Sequence, residues 1–157
     1  MSFEEVRVIT VVYLAVFLPL FIYFTNKSKL PNWIPTFYIV GVVVCALGWE
    51  LWFTYGWVDG HSVDIRRSEV LNTWLPKNLN WLMNSMGDAG AVLLGGIWLM
   101  WLTHRKDATI FKQWRWSAFT ILIFWCISQN ILVEMFLYHD QLADGKPLSW
   151  APMSPLG

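Results

Sequence analysis

Four long apolar stretches limit what this chain can fold into. They cover residues 8–24, 34–57, 79–102 and 117–138. Each is close to the roughly 20 residues that a helix needs to cross the hydrocarbon core of a bilayer. Because backbone groups in lipid must find hydrogen-bond partners within their own segment, such stretches are expected to form helices. The sequence therefore predicts an all-α integral membrane protein, a four-helix bundle that forms one transmembrane domain over residues 1–157.

Charge and aromatic content agree with this prediction. Charged residues make up 14% of the 157 residues, against about a quarter in soluble domains. The chain also contains 12 tryptophans, a residue that favours the interface between bilayer and water. The formal net charge is zero, which gives no reason to expect a nucleic-acid partner. The expected partners are membrane lipids, an apolar isoprenoid ligand, and either other membrane subunits or a second copy of the chain.

Basic residues are concentrated in two short loops. Lys27 and Lys29 lie between the first two apolar stretches, and the loop of residues 104–115 contains further lysines and arginines. By the positive-inside rule these loops face the cytoplasm. With four spans, both termini and the long loop of residues 58–78 are then expected on the non-cytoplasmic side.

Three acids lie inside the predicted spans: Glu50, Asp88 and Glu134. Ionisable residues within a span are rare and usually face the interior of the bundle or a cavity. A rise of about 1.5 Å per residue places all three at a similar depth. Asn84 lies one turn from Asp88, and Asn130 lies one turn from Glu134, so each pair shares a helix face. The pattern predicts one pocket that collects these five side chains.

Such a pocket is suited to acid–base chemistry. Carboxyl groups in surroundings of different polarity can divide the roles of general acid and general base between them. The three acids are therefore the candidate catalytic residues, and the two asparagines are candidates for binding and orienting a ligand. An alternative is that these polar side chains only hydrogen-bond neighbouring helices together.

Four tryptophans are candidates for lining the same pocket, because the face of an indole ring attracts positive charge. They are Trp49, Trp52, Trp81 and Trp125. The alternative for these side chains is that they face lipid or fill the core.

A further pattern on the third stretch concerns helix contacts. Gly87, Ala91 and Gly95 recur at four-residue spacing. Small residues at this spacing let a neighbouring helix approach closely. The pattern predicts a contact groove beside Asp88.

No metal site or cofactor is expected. The histidines and the two cysteines, Cys45 and Cys126, show none of the short spacings typical of zinc sites or haem attachment.

The segment LGWELWFTYGW, which contains Trp49 and Glu50, resembles a motif of fungal membrane-bound terpene cyclases of the indole-diterpene and meroterpenoid type. Those proteins carry a Trp-Glu pair late in the second span, followed by an aromatic residue. Their third span begins with an aromatic-rich segment ending in an acid, which WLMNSMGDAG resembles through Trp81 and Asp88. The resemblance implies that Glu50 protonates an epoxide or alkene and so starts a cyclisation. It covers about the first two thirds of the chain, and the family has seven spans.

Two functions of different classes follow. The first is a membrane enzyme that isomerises or cyclises an isoprenoid-like lipid by acid–base chemistry. The alternative is a non-catalytic accessory subunit of a larger membrane complex, which packs against partner helices or binds a lipid, quinone or pigment. The two differ in whether the polar faces of the helices meet one another.

Overall fold

The computed structural model describes residues 1–57, 61–133 and 135, and regular structure within them is helical without β-strands. The predicted all-α class is therefore confirmed for the described part of the chain. The helices are α1 (Phe3–Asn26), α2 (Ile34–Leu47), α3 (Trp49–Tyr55), α4 (Val63–Arg66), α5 (Glu69–Trp74), α6 (Lys77–Asp88), α7 (Gly95–Thr103) and α8 (Trp116–Val133). A π-helical turn, Ala89–Leu94, joins α6 to α7, and short 3-10 turns occupy Lys27–Lys29 and Ala108–Phe111.

Three helical segments are long and apolar enough to cross a membrane. They are Phe3–Lys29, Lys77–Thr103 and Trp116–Val133, and α2 with α3 would be a fourth if the two form one span. The helical segments agree with the predicted stretches in position. The last predicted stretch extends past Val133 beyond the described residues.

The second predicted stretch is broken at Gly48. The sequence predicted a span over residues 34–57, and the structure divides this stretch into two helices with a bend of 41° between α2 and α3. Gly48 has φ −89° and ψ −122°, far from helical values. A side chain there would place its Cβ 2.7 Å from the carbonyl oxygen of Val44. Glu50 therefore lies in the first turn of α3 and not within a long helix.

The loop between α3 and α6 folds against α1. Leu71 and Leu75, from α5 and its C-terminal end, share a core with Val8 and Val12 of α1. The hydroxyl of Tyr13 also donates to the carbonyl oxygen of Trp74 at 3.1 Å. This part of the loop therefore packs over the N-terminal half of α1.

The third span is the central element of the described structure. Its most apolar window is 39% buried, against 11% for the corresponding windows of α1 and of α8. α1 packs on its first half through Met83, α2 packs on its middle through Ala89, and α8 packs on its second half through Gly95. The other helices are thus arranged around α6, the π-helical turn and α7.

The π-helical turn divides the small residues of the third span between two neighbours. A Cβ on Gly90 would lie 2.8 Å from the carbonyl oxygen of Ala15 in α1. A Cβ on Gly95 would instead lie 3.1 Å from Nε1 of Trp125 in α8. Because a π turn interrupts the regular i to i+4 relation, Gly87 faces α1 together with Gly90, whereas Gly95 faces α8. Close approach occurs as predicted, but to two helices and not along one groove.

Candidate functional site

Asp88 ends α6 at the point where the π-helical turn begins. The indole Nε1 of Trp49 donates to its Oδ2 at 2.6 Å. This bond joins the start of α3 to the central span. π-helical turns occur frequently at functional sites. The position of Asp88 therefore makes it a candidate functional residue.

Glu50 lies beside this bond in a buried cluster. Its side chain is fully buried, and so is Thr54 one turn further along α3. Cys45, in the last turn of α2, is also buried. Because Glu50 directly follows Trp49 in the first turn of α3, Glu50 and Asp88 both lie at the junction of α2, α3 and α6.

On its other side Asp88 lines a small cavity of about 50 Å³ between α1, α6 and α8. We name this cavity the polar recess, because three polar side chains line it: Asn84, Asp88 and Gln129. Asn84 is 8% exposed, and its amide makes no side-chain hydrogen bond within the described part of the chain. Gln129 makes one long bond, from Nε2 to the carbonyl oxygen of Cys126 at 3.4 Å. The recess therefore presents amide groups with little or no internal pairing.

A second, larger cavity of about 530 Å³ lies next to the recess. It lies between α1 and α8 on the surface of the π-helical turn and α7, and it is partly open on one side. We name it the apolar groove, since its lining is almost entirely hydrocarbon and indole. Val11, Ala15 and Ala91 line both cavities, so the two are adjacent and share a wall. Pockets of this volume are typical of sites for small molecules.

The four predicted tryptophans have different positions. Trp125 lines the groove, and its Nε1 donates to the carbonyl oxygen of Ala91 at 2.8 Å. Trp81 bridges α6 to α2 by donating to a backbone carbonyl, and Trp52 is 56% exposed. Trp49 contacts Asp88 as described, but it is not among the lining residues of either cavity. Trp98, which the sequence reasoning missed, lines the groove beside Trp125.

The polar residue of α8 that reaches the recess is Gln129, not Asn130. Asn130 is exposed and donates back to the carbonyl oxygen of Cys126 at 3.3 Å. Trp125, Gln129 and Val133 are spaced four residues apart, and each lines one of the two cavities. That spacing is the signal that could have identified Gln129 from the sequence. Glu134, the third predicted acid, lies outside the described residues.

Across residues 1–57, 61–133 and 135, no group of three or more histidine, cysteine, aspartate or glutamate side chains is arranged to hold a metal ion. His104 has a different role. Its ring nitrogens lie 2.8 Å from the carbonyl oxygen of Met100 and 2.8 Å from Oγ of Ser117. The imidazole thus links the end of α7 to the start of α8.

The fold and the site define a class of protein. It is helical, three to four of its helices suit a membrane in length and composition, and an apolar groove lies beside a small recess lined by a carboxyl group and two amides. Comparison with models of protein families, with curated proteins and with solved structures finds no match for this chain.

Proposed function

We propose that the chain is an integral membrane protein of four spans that binds an isoprenoid-like lipid in the apolar groove and isomerises or cyclises it by acid–base chemistry. The observation that supports this most is that the groove lies directly beside the polar recess, with Val11, Ala15 and Ala91 lining both. A lipid that enters from the bilayer between α1 and α8 would lay its chain along the groove. Its end would then reach Asp88.

The shape of the groove suits a linear chain. It follows α1 from Val11 to Tyr23, a distance of about 18 Å at the helical rise of about 1.5 Å per residue. Apolar side chains line it over this length, with Trp98 and Trp125 on the opposite wall. Because the bilayer is as apolar as the groove, the free energy of binding would come from van der Waals packing against the groove wall and from the polar end of the ligand.

Asp88 is the acid that lines the recess, so we assign proton transfer to it. In the acid form its carboxyl group would give a proton to an alkene carbon of the ligand. The resulting carbocation would lose a proton from a neighbouring carbon to the carboxylate, which restores the acid. The face of Trp125 would stabilise the positive charge.

Glu50 receives a different role in this proposal. The family resemblance makes Glu50 the proton donor, but its side chain is fully buried and is not among the residues that line the recess. We therefore assign Glu50 to proton exchange with Asp88. Glu50 directly follows Trp49, whose indole donates to Asp88, so the two acids belong to the same helix junction.

The alternative function, an accessory subunit, is favoured by the outer faces of α1 and α8. Large apolar side chains remain exposed there, among them Phe17, Phe21, Phe124 and Ile127. Such faces fit either lipid chains or the helices of a partner subunit. Under this alternative the groove would be covered by a partner helix and would hold no free lipid.

Lipid that co-purifies with the protein distinguishes the two functions. The protein is purified in a mild detergent, and bound lipids and proteins are identified by mass spectrometry. Val11→Trp would fill the junction of the groove and the recess, whereas Phe21→Trp, on an exposed face of the same helix, is the matched control. We expect one apolar lipid enriched with wild type and Phe21→Trp and lost with Val11→Trp. A stoichiometric protein partner with no enriched lipid would support the subunit function instead.

A further inference from the structure

The polar recess limits which end group a ligand in the groove can carry. We propose that the ligand ends in a single hydroxyl group, as a long-chain prenol does, and not in a phosphate or diphosphate. This inference rests on the proposed function, because it requires the groove to bind a lipid chain.

Size is the first argument. The recess has a volume of about 50 Å³, and a water molecule needs roughly 10–15 Å³ of such volume. It therefore has room for a few non-hydrogen atoms. A hydroxyl group and the carbon that bears it fit this space, whereas a diphosphate group is larger than the space available.

Charge is the second argument. Asp88 is the charged residue among those that line the recess, and no lining residue is basic. Arg7, which immediately precedes Val8 in α1, does not line it. A phosphate in the recess would face the Asp88 carboxyl group without a cation to pair with. Burying an unpaired charge in this way is strongly unfavourable.

Hydrogen-bond complementarity is the third argument. Buried polar groups nearly always have partners, yet the Asn84 amide has none among the described residues and lies against the recess. Asp88 uses Oδ2 for the bond from Trp49. A hydroxyl group both donates and accepts, so it could pair with the Asn84 amide and with the Asp88 carboxyl group in either protonation state of that group. A ketone can only accept, so it could not pair with the Asp88 carboxylate.

This assignment also fits the proposed reaction. A prenol carries an alkene next to the carbon that bears its hydroxyl group. Binding of the hydroxyl in the recess would hold that alkene at the end of the groove, beside Asp88. The chain beyond it would extend along α1 toward Tyr23.

Competition binding tests the inference. Wild-type protein in lipid nanodiscs is incubated with radiolabelled farnesol, with empty nanodiscs as the background. Unlabelled farnesol, farnesene and farnesyl diphosphate then compete for the site. We expect farnesol to compete at least about tenfold better than the other two, the effect of one or two hydrogen bonds.

Variants assign the preference to the recess. Asn84→Leu keeps the approximate size of the side chain and removes the amide, so farnesol should bind about tenfold more weakly while farnesene is unchanged. Gln129→Leu serves as the second variant if Asn84→Leu does not fold. Phe21→Trp should bind farnesol as wild type does.

The outcomes separate this inference from the proposed function. If farnesyl diphosphate or farnesene competes as well as farnesol, the hydroxyl assignment is wrong and lipid binding in the groove stands. If no probe binds wild type above the empty nanodiscs, or if Val11→Trp binds them all as wild type does, the groove itself is not the site and the proposed function fails.

Discussion

Asp88 touches two different surroundings, and this makes it the residue on which the proposed chemistry depends. One side accepts the bond from Trp49, and the other side faces the recess. Asp88→Asn keeps the shape and hydrogen-bonding capacity of the side chain but removes the acid. We expect the variant to fold and bind lipid while proton transfer falls by about two orders of magnitude or more, as for loss of a general acid.

Deuterium exchange measures this proton transfer whatever product the reaction forms. The purified protein with its bound lipid is incubated in heavy water, and deuterium on carbon is counted by mass spectrometry. Asp64→Asn, a change at an exposed acid of α4, is the matched control and should exchange as wild type does. Retention of full exchange in Asp88→Asn would remove Asp88 from the mechanism.

Glu50→Gln tests the role implied by the family resemblance. If Glu50 is the direct donor, this substitution should reduce exchange at least as strongly as Asp88→Asn. Because Glu50 is buried away from the recess, we expect a smaller reduction, with Asp88 still able to transfer protons. Exchange in the two variants is compared at equal amounts of folded protein. A smaller loss in Asp88→Asn than in Glu50→Gln would restore Glu50 as the donor.

Asp107 predicts a pH dependence in the loop between α7 and α8. The hydroxyl and backbone N–H of Thr109 donate to its carboxylate, and together with nearby Arg115 they hold the pKa of Asp107 below its ordinary value of 3.8. The folded loop thus binds a proton less tightly than the unfolded chain. Its stabilising contribution is fully present above pH 3.8 and is lost as the pH falls through the lowered pKa. Thermal unfolding of wild type and Asp107→Asn should therefore differ near neutral pH and converge on acidification.

Sequence reasoning found part of the site and missed part for a geometric reason. Intramembrane acids are rare, so Glu50 and Asp88 could be chosen without a structure. Asn130 and Gln129 are adjacent and equally polar, and they differ by about 100° of rotation around α8. Polarity alone does not show which of the two residues faces inward. The position of Trp125 in the groove wall does show it, because Gln129 lies one turn from Trp125 on the same face of α8.

At the scale of the elements, apolar composition predicted where the long helices lie but not where they break. The apolar stretch continues across Gly48, so the bend of 41° between α2 and α3 has no compositional signal. The π-helical turn after Asp88 is likewise hidden, because its residues are ordinary for a membrane helix. Both irregularities border the cluster of Glu50 and Asp88, and both follow from tertiary contacts that a single sequence does not contain.

The contact of Gly90 with α1 can be tested by adding one methyl group. A Cβ at Gly90 would lie 2.8 Å from the backbone carbonyl oxygen of Ala15, which cannot move without shifting α1. At Gly41 the nearest atom is the end of the flexible Leu93 side chain, which can rotate away. Overpacking of this kind costs about 1–3 kcal/mol, and alanine regains up to about 1 kcal/mol of helix propensity. We expect Gly90→Ala to lower the unfolding temperature in detergent by several degrees more than Gly41→Ala. Equal unfolding temperatures would show that α1 does not pack closely on Gly90.

At the scale of the whole molecule, the two basic loops lie at the same end of the structure. The ring of Trp33, which precedes α2, contacts the ring of Phe111 in the loop before α8, with 6.1 Å between their centroids. The opposite end holds α5, which packs against the N-terminal half of α1. The lysines and arginines of the two basic loops are thus gathered at one end of the structure. The density of lysine and arginine in the loops of residues 27–33 and 104–115 favours a cytoplasmic position for that end.

Accessibility of engineered cysteines in intact cells tests this orientation. The native thiols are first removed by Cys45→Ala and Cys126→Ala, and a single cysteine is then introduced by Ser2→Cys or Lys112→Cys. Ser2 and Lys112 lie in exposed parts of the chain at opposite ends of the structure. If the chain has the four spans and the cytoplasmic basic loops that we propose, a membrane-impermeant maleimide should label the cysteine at position 2 in intact cells and the one at position 112 only after the membrane is permeabilised. The reverse labelling pattern would show that the protein has the opposite orientation in the membrane. Labelling of both positions in intact cells would mean that the bent α2–α3 pair does not cross the membrane as one span.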